Sequence, residues 1–433
     1  MAMVRTMPRV GLVRIARETA LSATDSAPSL APREAAGAAL ARAAASAPTR
    51  EEGAAVRRVV ELAGGWDRSW TGARVLIKPN LVAVPPHPRN GAVTSAAICR
   101  AVADMVREQG GDPLIADSAG VGADTEDVMA LCGYQQLRAQ GYQVVDLKKT
   151  PAVEVPVRGG TLLHSCQPSQ PSEPSHLHIF RPALEADLII SVPVMKTHDQ
   201  LGVSLALKNL KGLLTDEDKK RLHRTGVVNG VCDLLSVLPP VYAIVDGTVG
   251  QEGLGPIFGR PVALGLLLAG ADPVAADTLA AWLMGFQPEE LPLLVRAADR
   301  GLGCADLGSI TVAGEEPASL RRRFLRPEED ASFQMPDCQL IFTPGTCTAC
   351  HHTVLSVLAD LEERGRLHLL RGKKVLAGVM EAETVPRGIS PAATILVGQC
   401  TAAYRHLGIW VPGCPPLNEE VEAALVVPLP DPQ

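Results

Sequence analysis

Short apolar runs that alternate with amphipathic ones constrain this chain more than any other feature. Residues 75–77 (Val-Leu-Ile) form an apolar run that ends in Lys78-Pro79-Asn80. Residues 96–109 then place their apolar positions at helical spacing, with Thr94 or Ser95 as the cap. Residues 113–116 again have strand character, 126–140 helical character and 143–146 strand character. A strand that hands on to a helix and then to another strand is the pattern of parallel βαβ units. The run 186–192 is continuously apolar, as a strand buried on both faces requires. Further strands are expected at 10–15, 242–245, 262–268 and 310–312. Helices are expected at 32–45, 50–64, 202–210, 229–238 and 273–283. The expected fold class is α/β, with a doubly wound, mostly parallel sheet domain over residues 1–317.

Two stretches break the alternation. Residues 150–180 read as an insertion, with paired strands at 153–157 and 176–180 around a Pro/Ser-rich loop at 167–175. Residues 318–337 are charged and carry Pro327 and Pro336, and they read as a linker. A smaller α/β domain is expected at 338–433. Its strands fall at 340–342, 375–379 and 394–397, and its helices at 354–365 and 419–425. Two or three cores suit 433 residues, because domains run about 100–200 residues each.

Composition narrows the function classes. Hydrophobic residues make up 46% and charged ones 20%, which supports a buried core rather than a disordered chain. Aromatics are only 3%, too few for base-stacking platforms along single-stranded nucleic acid. A net charge of −6 provides no global field for a polyanion, so nucleic acid is not an expected partner and anion binding must be local. The most apolar stretch, 262–270, is far shorter than the roughly 20 residues that span a bilayer. The first sixteen residues lack a continuous apolar core, so no signal peptide is read and the expected compartment is the cytoplasm. There, ten cysteines favour metal ligation or apolar packing over disulfides.

Six cysteines stand alone. Cys99, Cys132 and Cys232 lie within apolar helical patterns and suit simple packing. Cys166, Cys304 and Cys338 have no partner in sequence and suit it as well. The other four differ. Cys347 and Cys350 form C-T-A-C after a strand and a Pro-Gly turn, directly before a helix. Cys400 ends a second strand in V-G-Q-C, and Cys414 sits in V-P-G-C-P-P. Loops that follow strands of a parallel sheet all open at its carboxyl edge. Three separated segments can therefore deliver four thiolates to one point, as a 4Fe-4S cluster on Cys347, Cys350, Cys400 and Cys414 requires. Structural zinc also takes four thiolates, although only one C-x-x-C knuckle is present. Cys347 to His351 spells C-x-x-C-H, the c-type haem attachment pattern, and a dithiol redox pair is a further reading.

C-T-A-C, G-Q-C and V-P-G-C-P-P together resemble the proximal-cluster domain of nickel–iron hydrogenase small subunits and the related cluster-bearing subunit of respiratory complex I. That resemblance covers about the last quarter of the chain. It implies a flavodoxin-like domain with one 4Fe-4S cluster. The chain lacks the further cysteine groups of a hydrogenase relay, so hydrogenase activity is not implied. Residues 9–315 resemble the family called DUF362. The likeness is carried by Ile77-Lys78-Pro79-Asn80-Leu81, by the segment from Val192 to His198 with Ala206 to Gly212, and by Val245-Asp246-Gly247 with Glu252 to Pro256 and Asp272 to Asp277. That family implies no settled reaction, and several members carry iron–sulfur domains.

The same segments carry chemistry of their own. Lys78 and Asn80 stand at one strand end, and Lys196 and His198 follow the strongest strand at the same edge. Ser204, Lys208 and Lys211 are expected on one helical stripe. Such groups suit the carboxylate or phosphate of an anionic small molecule, although lysine heads on a helix often only face water. Lys196, His198 and Lys208 are the catalytic candidates, since a desolvated lysine or a histidine can move protons. Lys78, Asn80, Lys211, Asp246 and Glu252 are the candidates for holding a substrate or second cofactor. Asp117-Ser118 could join the same crevice. The glycines of 246–259 fit either an anion nest or a plain turn, and no G-x-G-x-x-G or Walker sequence is present. Three functions follow as expectations. One is an oxidoreductase passing electrons between the cluster and the crevice. Another is an electron-transfer module that docks a redox partner, either ferredoxin-like or an oxidoreductase subunit. The third is a non-redox enzyme with a structural metal.

Overall fold

The computed structural model describes residues 7–15, 50–66, 70–85, 90–157, 175–330, 338–343, 346–380, 385 and 389–429. The helix expected at 32–45, Cys166, the loop 167–174 and Pro336 lie outside them. The chain forms two compact units, Met1–Pro327 and Glu328–Gln433.

Among the described residues, the first unit is built on a ten-stranded sheet. Its strands are β1 (Arg9–Arg14), β2 (Arg74–Pro79), β3 (Asp112–Asp117), β4 (Gln143–Asp146), β7 (Leu188–Val192), β8 (Val194–His198), β9 (Gly202–Ser204), β10 (Val241–Glu252), β11 (Arg260–Gly270) and β12 (Thr311–Gly314). The intervening β5 (Ala152–Val157) and β6 (Ser175–Phe180) form a separate antiparallel pair, which is the expected insertion. The sheet order is β12-β1-β11-β10-β7-β2-β3-β4, with β8 on β10 and β9 on β8. Neighbours from β10 through β7, β2 and β3 to β4 are all parallel.

Apolar side chains alternate along the strands and feed cores on both faces. Ile77 and Leu267 belong to one cluster, with Val59 and Val102 from helices Arg50–Leu62 and Ala96–Glu108. Leu268 joins another with Leu279 from helix Pro273–Leu283, and Leu76 a third. Each fully buried Leu or Ile of this kind contributes roughly 1.5–3 kcal/mol. The fold is thus the expected mixed α/β architecture with a mostly parallel sheet.

Local chemistry explains where the elements differ from expectation. The helix expected at 126–140 is two helices, Thr125–Leu131 and Tyr134–Ala139, because Gly133 turns left-handed between them at φ 88°. Residues 194–198 form their own strand after Pro193, with Lys196 and His198 inside it. Strand β10 runs on to Glu252 and returns antiparallel as β11, since the segment 253–259 is too short for the crossover that a parallel neighbour needs. The linker expected at 318–337 is docked over its first part. Phe324 is 1% exposed, and its N–H donates to the Met284 carbonyl at 2.9 Å.

The second unit has a four-stranded sheet in the order β13-β14-β15-β16, all parallel. The strands are β13 (Gln339–Phe342), β14 (Lys374–Ala377), β15 (Thr394–Val397) and β16 (Ile409–Val411), with helices Thr348–Glu363 and Asn418–Leu425. Among the described residues of either unit, no helix is long and apolar enough to cross a membrane.

Candidate functional site: a buried lysine cluster and a cysteine edge

Parallel strand ends bring Lys78, Asn80 and Asp117 side by side. The Lys78 ammonium donates to Asp117 Oδ1 at 2.6 Å, to the Pro79 carbonyl at 2.9 Å and to Asn209 Oδ1 at 3.2 Å. Burial pushes its pKa down and Asp117 opposes that. Asp117 also accepts the N–H groups of Leu81 and Ser118, at 2.7 and 2.8 Å. Gly212 lies against this pair, where a Cβ would stand 2.2 Å from Asp117 Oδ1 and 2.7 Å from Lys78 Nζ.

Lys196, in β8, is fully buried. It donates to Asn80 Oδ1 at 2.7 Å, to the Ala92 carbonyl at 2.7 Å and to the Pro256 carbonyl at 3.1 Å. No carboxylate is among these acceptors. Burial, then Lys208, pushes its pKa well down. His198 Nδ1 lies 2.9 Å from Asp199 Oδ1, and burial pushes its pKa to about 4, against the pull of Asp199.

Lys208 and Lys211 stand on a tight turn rather than on one long helix. Ser204 belongs to β9, Lys208 to the short helix Ala206–Asn209, and Lys211 to the 3-10 turn Leu210–Leu213. The expected stripe of Ser204, Lys208 and Lys211 is therefore corrected, because the chain changes conformation at Leu205. Asp277 fixes this turn by accepting the N–H groups of Ala206 and Leu207 at 2.7 and 2.8 Å. Lys208 is half-buried, and burial pushes its pKa from the ordinary 10.5 to about 8.

Helix Asp216–Thr225 adds two groups that the sequence reading missed, Lys219 and His223, four residues apart. Thr215 followed by three acidic residues was a usable start signal for it. Lys219 donates to Ser118 Oγ at 2.7 Å, to the Ala119 carbonyl at 2.8 Å and to Asp216 Oδ1 at 3.0 Å. Lys211 Nζ contacts His223 Nε2. Five lysine heads, of Lys78, Lys196, Lys208, Lys211 and Lys219, thus share a neighbourhood with the carboxylates of Asp117, Asp199 and Asp216.

Asp246 and Glu252 each hold another part of the chain. Asp246 Oδ2 accepts the Ser95 N–H at 3.0 Å, where it caps helix Ala96–Glu108, and its Oδ1 accepts from Thr248. Glu252 turns to the segment beyond β12 and accepts the Leu325 N–H at 3.1 Å. Gly247, Gly250, Gly255 and Gly259 each lie against protein backbone. A Cβ on Gly255 would stand 2.1 Å from the Thr197 carbonyl oxygen.

In the second unit, Cys347 precedes helix Thr348–Glu363 as its N-cap and Cys350 lies in the first turn. The loops after β15 and β16 are tied together. Gly398 N–H donates to the Val411 carbonyl at 2.9 Å, and Gln399 N–H to the Gly413 carbonyl at 2.7 Å. Gly398 has φ 94°, and a Cβ there would stand 2.9 Å from Cys350 Sγ. The Cys350 thiol is pushed up, first by its hydrogen bond with Cys347, then by burial and by the proximity of Cys347, Cys400 and Cys414. All four expected ligands therefore stand in one neighbourhood, with Cys400 exposed and Cys350 buried. Among the described residues, no three of His, Cys, Asp or Glu stand close enough to hold a single metal ion.

Fold and site together define an α/β protein with a cluster of buried lysines near the carboxyl edge of a mostly parallel sheet, followed by a small cysteine-bearing unit. Residues 75–282 match the family model described as domain of unknown function DUF362. A thylakoid-associated protein of Synechocystis sp. is 31% identical over 259 residues, which cover 58% of this chain and 74% of that protein. The chain belongs to the DUF362 family. Among solved structures, the lactate racemase apoprotein from Thermoanaerobacterium thermosaccharolyticum matches at 17% identity and a TM-score of 0.31. That match covers 54% of this chain and 55% of the racemase chain.

Proposed function

We propose that this chain is an iron–sulfur redox protein, with one 4Fe-4S cluster on Cys347, Cys350, Cys400 and Cys414 and a crevice for an anionic substrate or second cofactor. The reading is supported by Cys347, Cys400 and Cys414, from three loops, each lying near enough to push up the Cys350 thiol, and by a glycine where a Cβ would crowd Cys350 sulfur. Those residues fit the group, since each thiolate binds one iron of a body wider than a single ion. When bound, the cluster supplies one-electron transfer. The likeness of C-T-A-C, G-Q-C and V-P-G-C-P-P to hydrogenase proximal-cluster domains supports the same reading.

The crevice residues supply binding and orientation. Their lysine heads outnumber the carboxylates around them, and burial resists their charge. An entering carboxylate or phosphate offsets that cost by pairing with a desolvated ammonium. His198, neutral near pH 7, would serve there as a proton acceptor.

A second reading is favoured by the way Lys78, Lys196 and Lys219 spend their hydrogen bonds on protein acceptors. In it the first unit has no substrate chemistry of its own, and the exposed Cys400 edge exchanges electrons with a ferredoxin-like or oxidoreductase partner. The cytoplasm, where thiols stay reduced, is the setting proposed for both.

Anaerobic purification with iron and acid-labile sulfide counted per chain tests the cluster. About four of each, with a dithionite-bleachable spectrum, supports it. Zinc without sulfide rejects it. Phosphate and carboxylate titrations of the purified chain test the crevice, and absence of any binding favours the second reading.

A further inference from the structure

This inference rests on the reading of the crevice as an anion site. It concerns the corner where helix Asp216–Thr225 meets the turn carrying Lys208 and Lys211. Among these lysines, the Lys208 head alone makes no hydrogen bond to the described residues, while it lies half-buried near Asp199, Lys78, Asp117 and Lys219.

His223 offers the second unfilled position. Its Nε2 touches the Lys211 ammonium, which has no lone pair, so Nε2 must accept and the ring proton must sit on Nδ1. Burial and the charges of Lys211 and Lys208 push its pKa well below 6.5, so the ring is neutral. Nδ1 is buried and has no hydrogen-bond partner. A buried N–H with no acceptor is costly, and Lys208, Lys211 and His198 stand near enough to bear on the ring that carries it. Asp199 is already drawn to His198, at 2.9 Å.

We propose that Lys208 Nζ and His223 Nδ1–H are the two donors that grip the carboxylate or phosphate group of the crevice ligand. An oxyanion presents two acceptor oxygens and matches one ammonium and one neutral N–H. Lys211 acts through His223 as a positioning residue, because its ammonium sets the tautomer. The other three lysines, Lys78, Lys196 and Lys219, spend their donors on protein acceptors and shape the corner.

The test uses the full chain near pH 7, with inorganic phosphate and malonate as probes in calorimetric titrations. Wild type binds at least one of them, and the one it prefers assigns the ligand class. Lys208→Gln and His223→Phe each weaken that binding about tenfold or more, the scale of one lost charge-assisted bond. Nitrogen-15 NMR of wild type finds His223 protonated on Nδ1, the reverse of free histidine, and the signal shifts on titration. Binding that survives both variants, or a proton on Nε2, overturns the subsite and leaves the crevice an anion site. Failure of both probes to bind wild type brings down the anion reading itself.

Discussion

The Lys78 ammonium and the Asp117 carboxylate meet at 2.6 Å with both side chains almost wholly buried, at 1% and 3% exposure. One comes from the end of β2 and the other from the end of β3, so a single ion pair clamps two adjacent strand ends. Asp117 also holds the backbone of Leu81 and Ser118, which sets the loops that follow both strands.

Removing one partner of such a pair strands the other in a medium that cannot solvate it. Lys78→Met should lower stability by about 3–5 kcal/mol in urea unfolding. A loss below about 1 kcal/mol, the scale of an exposed pair, would mean that water reaches Asp117.

Gly212 is the point of closest approach to that pair. Gly212→Ala should cost about 1–3 kcal/mol through overpacking, although alanine is the better helix former. Calorimetric melting reads the change, and an unchanged midpoint would show that the turn relaxes freely.

Asp277 holds the turn that carries Lys208, and burial pushes its pKa from 3.8 to about 7. With the folded value above the unfolded one, its contribution to stability is full below about pH 4 and is lost as pH rises through about 7. Asp277→Asn removes this titration. Its stability between pH 4 and 7 should be flatter than that of wild type, and an identical slope in the two proteins would refute the assignment.

The depressed pKa of Lys208 works in the opposite sense. Its folded value, about 8, lies below the ordinary 10.5, so the unliganded protein gains stability from this group as pH rises from about 8 to 10.5. Phosphate or malonate affinity should fall over the same rise, as the ammonium is lost. Affinity that stays constant from pH 7 to 9.5 would remove Lys208 from the ligand contact.

The cysteine edge is tested by a pair of variants. Gly398→Ala places a methyl group against Cys350 sulfur at a left-handed backbone position, and it should lose most of the bound iron. Cys338→Ser, a buried cysteine outside the proposed ligand set, should keep it. Equal iron in both proteins would place the cluster elsewhere.

Much of the fold was legible because strand and helix periodicities are local. The runs 75–77, 113–116 and 143–146 lie within parallel neighbours, and the cysteine-bearing loops follow strands as their spacing predicts. The β10–β11 hairpin was not legible, because two apolar strands read alike whichever way they run. The crevice was legible only as a set of residue types. Which lysine is tied inward depends on acceptors distant in sequence, such as Ala92 and Pro256 for Lys196, and no local pattern announces them. The contact of Asp246 with Ser95 was hidden for the same reason, since the helix it caps begins about 150 residues earlier.

The reversal of β11 reaches further than sheet order. A crossover helix between β10 and its neighbour would have left the end of β8 open to whatever docks there. The hairpin instead bends back over it and lends the Pro256 carbonyl to Lys196. One strand running the wrong way turns a charge poised for recognition into an internal rivet. The work of greeting a ligand then falls to the next turn along the chain, at Lys208.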